Sequence, residues 1–117
     1  MTYKELKVWQ KGIELTKAVY DVVKFLPKEE MYALSDQMRR AVISIPSNIA
    51  EGYKRNSDKD FIHFLSIANG SAAELETQMI IAVELGFLSQ EQAQLSLCLC
   101  EEVEKMLNSL IGKLKNK

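Results

Sequence analysis

A chain of 117 residues, 47% hydrophobic and 26% charged, has the make-up of one globular domain and is too apolar for a disordered segment. Its net charge of −1 argues against a general electrostatic pull toward nucleic acid or anionic lipid. No apolar run is long enough to span a membrane, and the opening MTYKELKVWQKG lacks the apolar core of a secretion signal, so a cytoplasmic protein is expected.

Apolar spacing predicts four helices in a single domain covering residues 1–117. The first is expected from Tyr3 to Phe25, stopping before Pro27. It carries two apolar seams, one through Leu6, Trp9, Ile13, Thr16, Tyr20 and Val23, the other through Val8, Gly12, Leu15, Val19, Val22 and Leu26. A surface helix of a monomer needs one such stripe, so the second implies contact beyond the helix's own bundle. The second helix is expected from Glu29 or Glu30 to Tyr53, with Met31, Leu34, Met38, Ala41, Ile45 and Ile49 inward and Gly52, near its end, compatible with termination there. Pro46 falls inside it, where it removes a backbone hydrogen bond and predicts a kink.

Ser57 is a good cap for the third helix, with Asp58 and Asp60 favourable in its first turn, and Gly86 follows its end. Its middle, Ala68-Asn69-Gly70-Ser71-Ala72-Ala73, is small enough to let a neighbour approach closely. Ser89 and Gln92 form a capping box for the fourth helix, whose seam runs through Ala93, Ser96, Cys100, Val103, Leu107, Leu110 and Leu114. Three short connections make consecutive helices antiparallel neighbours, hence an all-α, up-down-up-down four-helix bundle.

Catalytic and metal-binding patterns are not found. His63 is the only histidine, so the paired Glu-x-x-His motifs of a di-iron bundle cannot be built, and any Ser or Cys nucleophile would depend on it. Glycine-rich phosphate loops are missing. Cys98 and Cys100, two apart on a helix, face different ways and are expected to be free, buried thiols. No enzyme, cofactor, metal or small-molecule substrate is therefore expected.

One constellation remains. On the second helix Gln37, Arg40, Ser44, Asn48, Glu51 and Arg55 recur at three- and four-residue steps, forming a polar stripe beside the apolar seam. Antiparallel pairing with the third helix brings Arg40 toward Ser71 and Glu74, Asn48 toward Phe64, and Glu51 toward the third helix's start. The stripe reads as a register-fixing network with an Arg40–Glu74 ion pair, or as an interaction surface or pore lining. Separately, Lys4, Lys7 and Lys11 share one face of the first helix beside Trp9 and are candidate nucleic-acid contacts.

The run from Gln37 to Gly52, QMRRAVISIPSNIAEG, with Arg55, the opening Leu6-Lys7-Val8-Trp9-Gln10 and the later segments Phe64–Ser71 and Glu74–Thr77 resemble the four-helix-bundle proteins named for intervening sequences in bacterial 23S ribosomal RNA genes, also called the S23 ribosomal protein family. The resemblance spans nearly the whole chain. It implies assembly as a ring-like homopentamer and no enzymatic activity. The family is similar to accessory proteins of diversity-generating retroelements, basic pentameric barrels that bind nucleic acid and a reverse transcriptase; this chain, with a pI of about 5.9, is not basic overall. The expected role is thus a homo-oligomeric scaffold or interaction module, the alternative being an accessory protein for RNA, DNA or a nucleoprotein.

Overall fold

The computed structural model describes residues 1–117 as four α-helices with no strand. They are α1 (Lys7–Val22), α2 (Leu34–Tyr53), α3 (Asp58–Glu84) and α4 (Gln90–Lys115), joined by short turns; three single 3-10 turns lie at Tyr3–Glu5, Val23–Phe25 and Lys28–Glu30. Contacts run α1 to α2, α2 to α3, α3 to α4 and α4 back to α1, closing a bundle 45 Å long. Each neighbouring pair is antiparallel: Gly12 meets Pro46, Ser44 meets Ser71, Ala72 meets Cys100, and Lys11 meets Glu102.

Local chemistry sets most helix ends. The Ser57 hydroxyl accepts from the Asp60 amide at 3.1 Å, and Ser89 and Gln92 exchange their capping-box bonds at 3.0 and 2.9 Å. Gly86 takes φ +78°, a left-handed conformation glycine adopts without strain. The amides of Phe87 and Leu88 then turn back onto the Ala82 carbonyl, and Leu88 re-enters the core.

Three boundaries depart from the sequence reading. The first helix is not continuous from Tyr3: Thr2 caps a separate 3-10 turn, and Leu6 is extended before α1 begins. At its far end α1 tightens into a 3-10 turn, and Leu26 is extended, as a residue before proline prefers. The start of α2 is later than expected, because Ala33 at φ −119°, ψ −101° breaks the helical path. Met31 consequently lies outside α2 and is 46% exposed instead of inward-facing.

Two buried positions explain how closely the helices approach. Pro46 lies within α2, buried, with its ring atoms 3.5 Å from where a Cβ on Gly12 would sit. The bare backbone of Gly12 thus seats the proline ring between α1 and α2. α2 ends at Tyr53 as expected, one residue past Gly52, but Gly52 has a second use. It is buried against α3, where an added Cβ would fall 2.7 Å from Phe64 Cβ and 3.0 Å from Phe61 Cδ1.

The core is a cluster of inward residues from all four helices, including the fully buried Leu15, Val42, Ile49, Leu75, Met79 and Leu107. Of the two seams on α1, Val8, Gly12, Leu15, Val19 and Val22 are buried in this core, whereas Trp9, Ile13 and Thr16 are only half-buried and Tyr20 is exposed. No helix is long and apolar enough to cross a membrane.

Candidate interaction surfaces

The polar stripe on α2 divides in two. Its middle is knit into the α2–α3 contact: the Ser44 and Ser71 hydroxyls share a hydrogen bond of 2.8 Å, while Asn48 Nδ2 donates to the Ser44 carbonyl and hydroxyl at 2.8 and 2.9 Å. Its ends face water. Arg40 is 79% exposed along its side chain and pairs with Asp36 on its own helix at 3.2 Å. Gln37 is exposed, and Glu74 accepts from Gln78 at 3.3 Å.

The expected Arg40–Glu74 ion pair is therefore absent. With Ser44 opposite Ser71, Arg40 comes level with Glu74 and Leu75, so register is not the obstacle: both charged side chains are exposed and each finds its partner on its own helix, Arg40 with Asp36 and Glu74 with Gln78. Glu51 and Arg55 also pair within α2, at 2.9 Å, and the Arg55 guanidinium lies 4.7 Å from the centre of the Phe64 ring.

The half-buried seam of α1 borders an open groove. Trp9, Ile13 and Thr16 form one wall; Ile43, Pro46, Ser47 and Ala50 form the other; Tyr3 closes one end, its ring 5.5 Å edge-on from Trp9. The groove holds about 310 Å³. Both walls repeat at three- and four-residue intervals, the period at which a helix presents knobs and holes to another helix. Ile43, on its rim, is 45% exposed.

A second feature comes from topology alone. The Tyr53 hydroxyl donates to the Met1 carbonyl at 3.2 Å, and Lys117 pairs with Asp58 at 3.3 Å, so the N-terminus, the α2–α3 turn and the C-terminus share one end of the bundle. Residues 1–8, 53–60 and 105–117 hold nine basic and three acidic side chains; the remainder holds six basic and thirteen acidic. A chain of net charge −1 is thereby strongly bipolar. Sequence reading missed this basic end because its three contributors are far apart along the chain; the run without acids after Glu104 was its one local sign.

Lys4 and Lys7 belong to this end, both exposed. Lys11 does not stand free with them: it bridges Glu14 at 3.2 Å and Glu102 at 3.4 Å, bonds that raise its pKa, Glu14 contributing most.

The remaining titratable groups sit elsewhere. His63 is exposed, edge-on to Phe64. Cys98 is exposed, contrary to the expectation of two buried thiols, because α4 points it away from the core that holds Cys100. The Cys100 thiol donates to the Ala72 carbonyl at 3.2 Å; burial, reinforced by Glu104, pushes its pKa well above the usual thiol range. Glu104 is itself pushed up, first by burial and then by the Glu76 carboxylate facing it from α3. Ser96 Oγ and Gln78 Oε1 are buried without hydrogen-bond partners.

Residues 4–109 match the family model of the 23S rRNA-intervening sequence protein. The chain is similar to a crystal structure of a protein of unknown function from the S23 ribosomal protein family of Bacteroides thetaiotaomicron VPI-5482, at 30% identity, covering 89% of this chain and 97% of that one, with a TM-score of 0.82. No curated protein matches. The chain belongs to the 23S rRNA-intervening sequence protein family.

Proposed function

We propose that this chain is a non-catalytic, self-assembling interaction module, its copies closing into a ring of five, with α2 bending at Pro46 where the Val42 carbonyl loses its amide donor. The observation that carries the self-assembly is the α1–α2 groove. Trp9 and Ile13 on one wall and Ile43 and Ala50 on the other leave apolar surface at helical spacing half-exposed to water. A helix of a second copy covers such a groove. The copy number rests on the resemblance to ring-forming relatives. Light scattering after size exclusion tests it: the mass should be several times 13.3 kDa, five times for the ring. Ile43→Glu, which places a charge on the rim without touching the core, should lower that mass. A parent chain of 13.3 kDa at micromolar concentration overturns the reading.

The basic end favours a second reading, in which the module contacts nucleic-acid phosphates through Lys4 and Lys7 and their neighbours Lys54, Lys59, Lys115 and Lys117. A ring would gather several such ends, so that weak contacts act together. Binding of single-stranded RNA should then be in the micromolar range and fall steeply as salt rises. Tight binding that ignores salt contradicts this contact chemistry.

A further inference from the structure

Between the start of α1 and the last turns of α4 lies another groove, of about 410 Å³. Its floor is aliphatic: Leu6, Val8, Met106 and Leu110. Its rim is cationic, with Lys7 on one side and Lys105 and Lys113 on the other. All three lysines are exposed, and none has a salt-bridge partner, whereas Lys11 in the next layer of the bundle is held by two glutamates.

We propose that this groove binds an acidic amphipathic helix of a protein partner. Lys105 and Lys113 are eight residues apart on α4, about 12 Å along its axis at 1.5 Å per residue, so no single carboxylate reaches both. The complementary ligand carries acidic groups at two-turn spacing with apolar side chains between them, which is the pattern of an acidic helix laid in a groove. The floor separates this occupant from nucleic acid. A strand of RNA gains much of its affinity by stacking bases on aromatic rings, and these four residues are aliphatic. The inference deepens the reading of the chain as an interaction module, yet uses a groove on the opposite side of α1 from the proposed self-assembly surface.

The test uses the full chain and a fluorescein-labelled peptide of about twenty residues, long enough to form a helix, with leucines every third or fourth position and glutamates flanking them. Anisotropy at physiological salt should give micromolar binding. The double variant Lys105→Glu/Lys113→Glu should weaken it at least tenfold, a change of about 1.4 kcal/mol. Lys28→Glu, at the other end of the bundle, should leave it unchanged. A scrambled peptide of identical composition should bind at least tenfold more weakly. Equal binding of the scrambled peptide, or no loss in the double variant, overturns the proposal. So does single-stranded RNA binding more tightly than the peptide through the same lysines. A drop in assembly mass in the double variant also overturns it, because the groove would then hold a second copy. If the parent proves monomeric and the peptide still binds, the self-assembly reading fails and this one stands.

Discussion

At Gly52 the backbones of α2 and α3 approach closely, and replacing it with alanine tests whether that approach is fixed by the absence of a side chain. The new Cβ would lie 2.7 Å from Phe64 Cβ, 3.0 Å from Phe61 Cδ1 and 3.3 Å from the Phe61 carbonyl oxygen. The first and last of these atoms are tied to the backbone of α3, so relief requires the two helices to separate. Overpacking of this kind costs about 1–3 kcal/mol, and the short contact to a Cβ places Gly52→Ala toward the upper end. Alanine's helix propensity returns about 1 kcal/mol, leaving a net destabilisation of about 2 kcal/mol. Gly70 supplies the control: it too is inside a helix, yet nothing lies within 4 Å of the point where an alanine methyl would sit, so Gly70→Ala should gain about 0.5–1 kcal/mol. Urea unfolding at fixed protein concentration should separate the two variants by about 3 kcal/mol. Gly52→Ala as stable as Gly70→Ala would refute the close packing of α2 on α3.

Arg40→Ala should change stability by no more than about 0.5 kcal/mol in the same assay, because an exposed i, i+4 pair with Asp36 is all it loses. Ser96→Ala should stabilise by about 1 kcal/mol, since its buried hydroxyl has no hydrogen-bond partner to forfeit. The Glu104 carboxyl is raised above its usual 4.5 by burial and by Glu76, so the folded state holds that proton more tightly than the unfolded state does. Stability from this group is present below 4.5 and is lost as pH rises through the folded-state value. Thermal melts across that range should show Glu104→Gln falling less steeply with pH than the parent; identical slopes would contradict the Glu76–Glu104 contact.

What sequence made legible was local or periodic. Ser57, Gly86 and the Ser89–Gln92 box act within a turn of themselves, and the seam of α4 repeats without interruption, so α3 and α4 lie where expected. The start of α2 was not legible, because Met31 keeps helical spacing with Leu34 while the break comes from the conformation of Ala33. Gly52 carries the residue type of a helix end, and only the position of Phe64 on α3 reveals its use as a contact point. Arg40 fails for another reason: its register brings it level with Glu74, but spacing does not say that both side chains stay in water and take partners within their own helices. The basic end depends on three distant segments meeting, which composition averages away.

Self-assembly through the α1–α2 groove is tested most directly at Trp9. This residue, the only tryptophan in the chain, lines that groove, so its fluorescence reports on that surface alone. The measurement is acrylamide quenching across a dilution series, in the parent and in Ile43→Glu. A groove covered by another copy predicts a shielded Trp9 at high concentration that becomes readily quenched on dilution and in the variant. Quenching that is high in the parent at every concentration and unchanged by Ile43→Glu would contradict it.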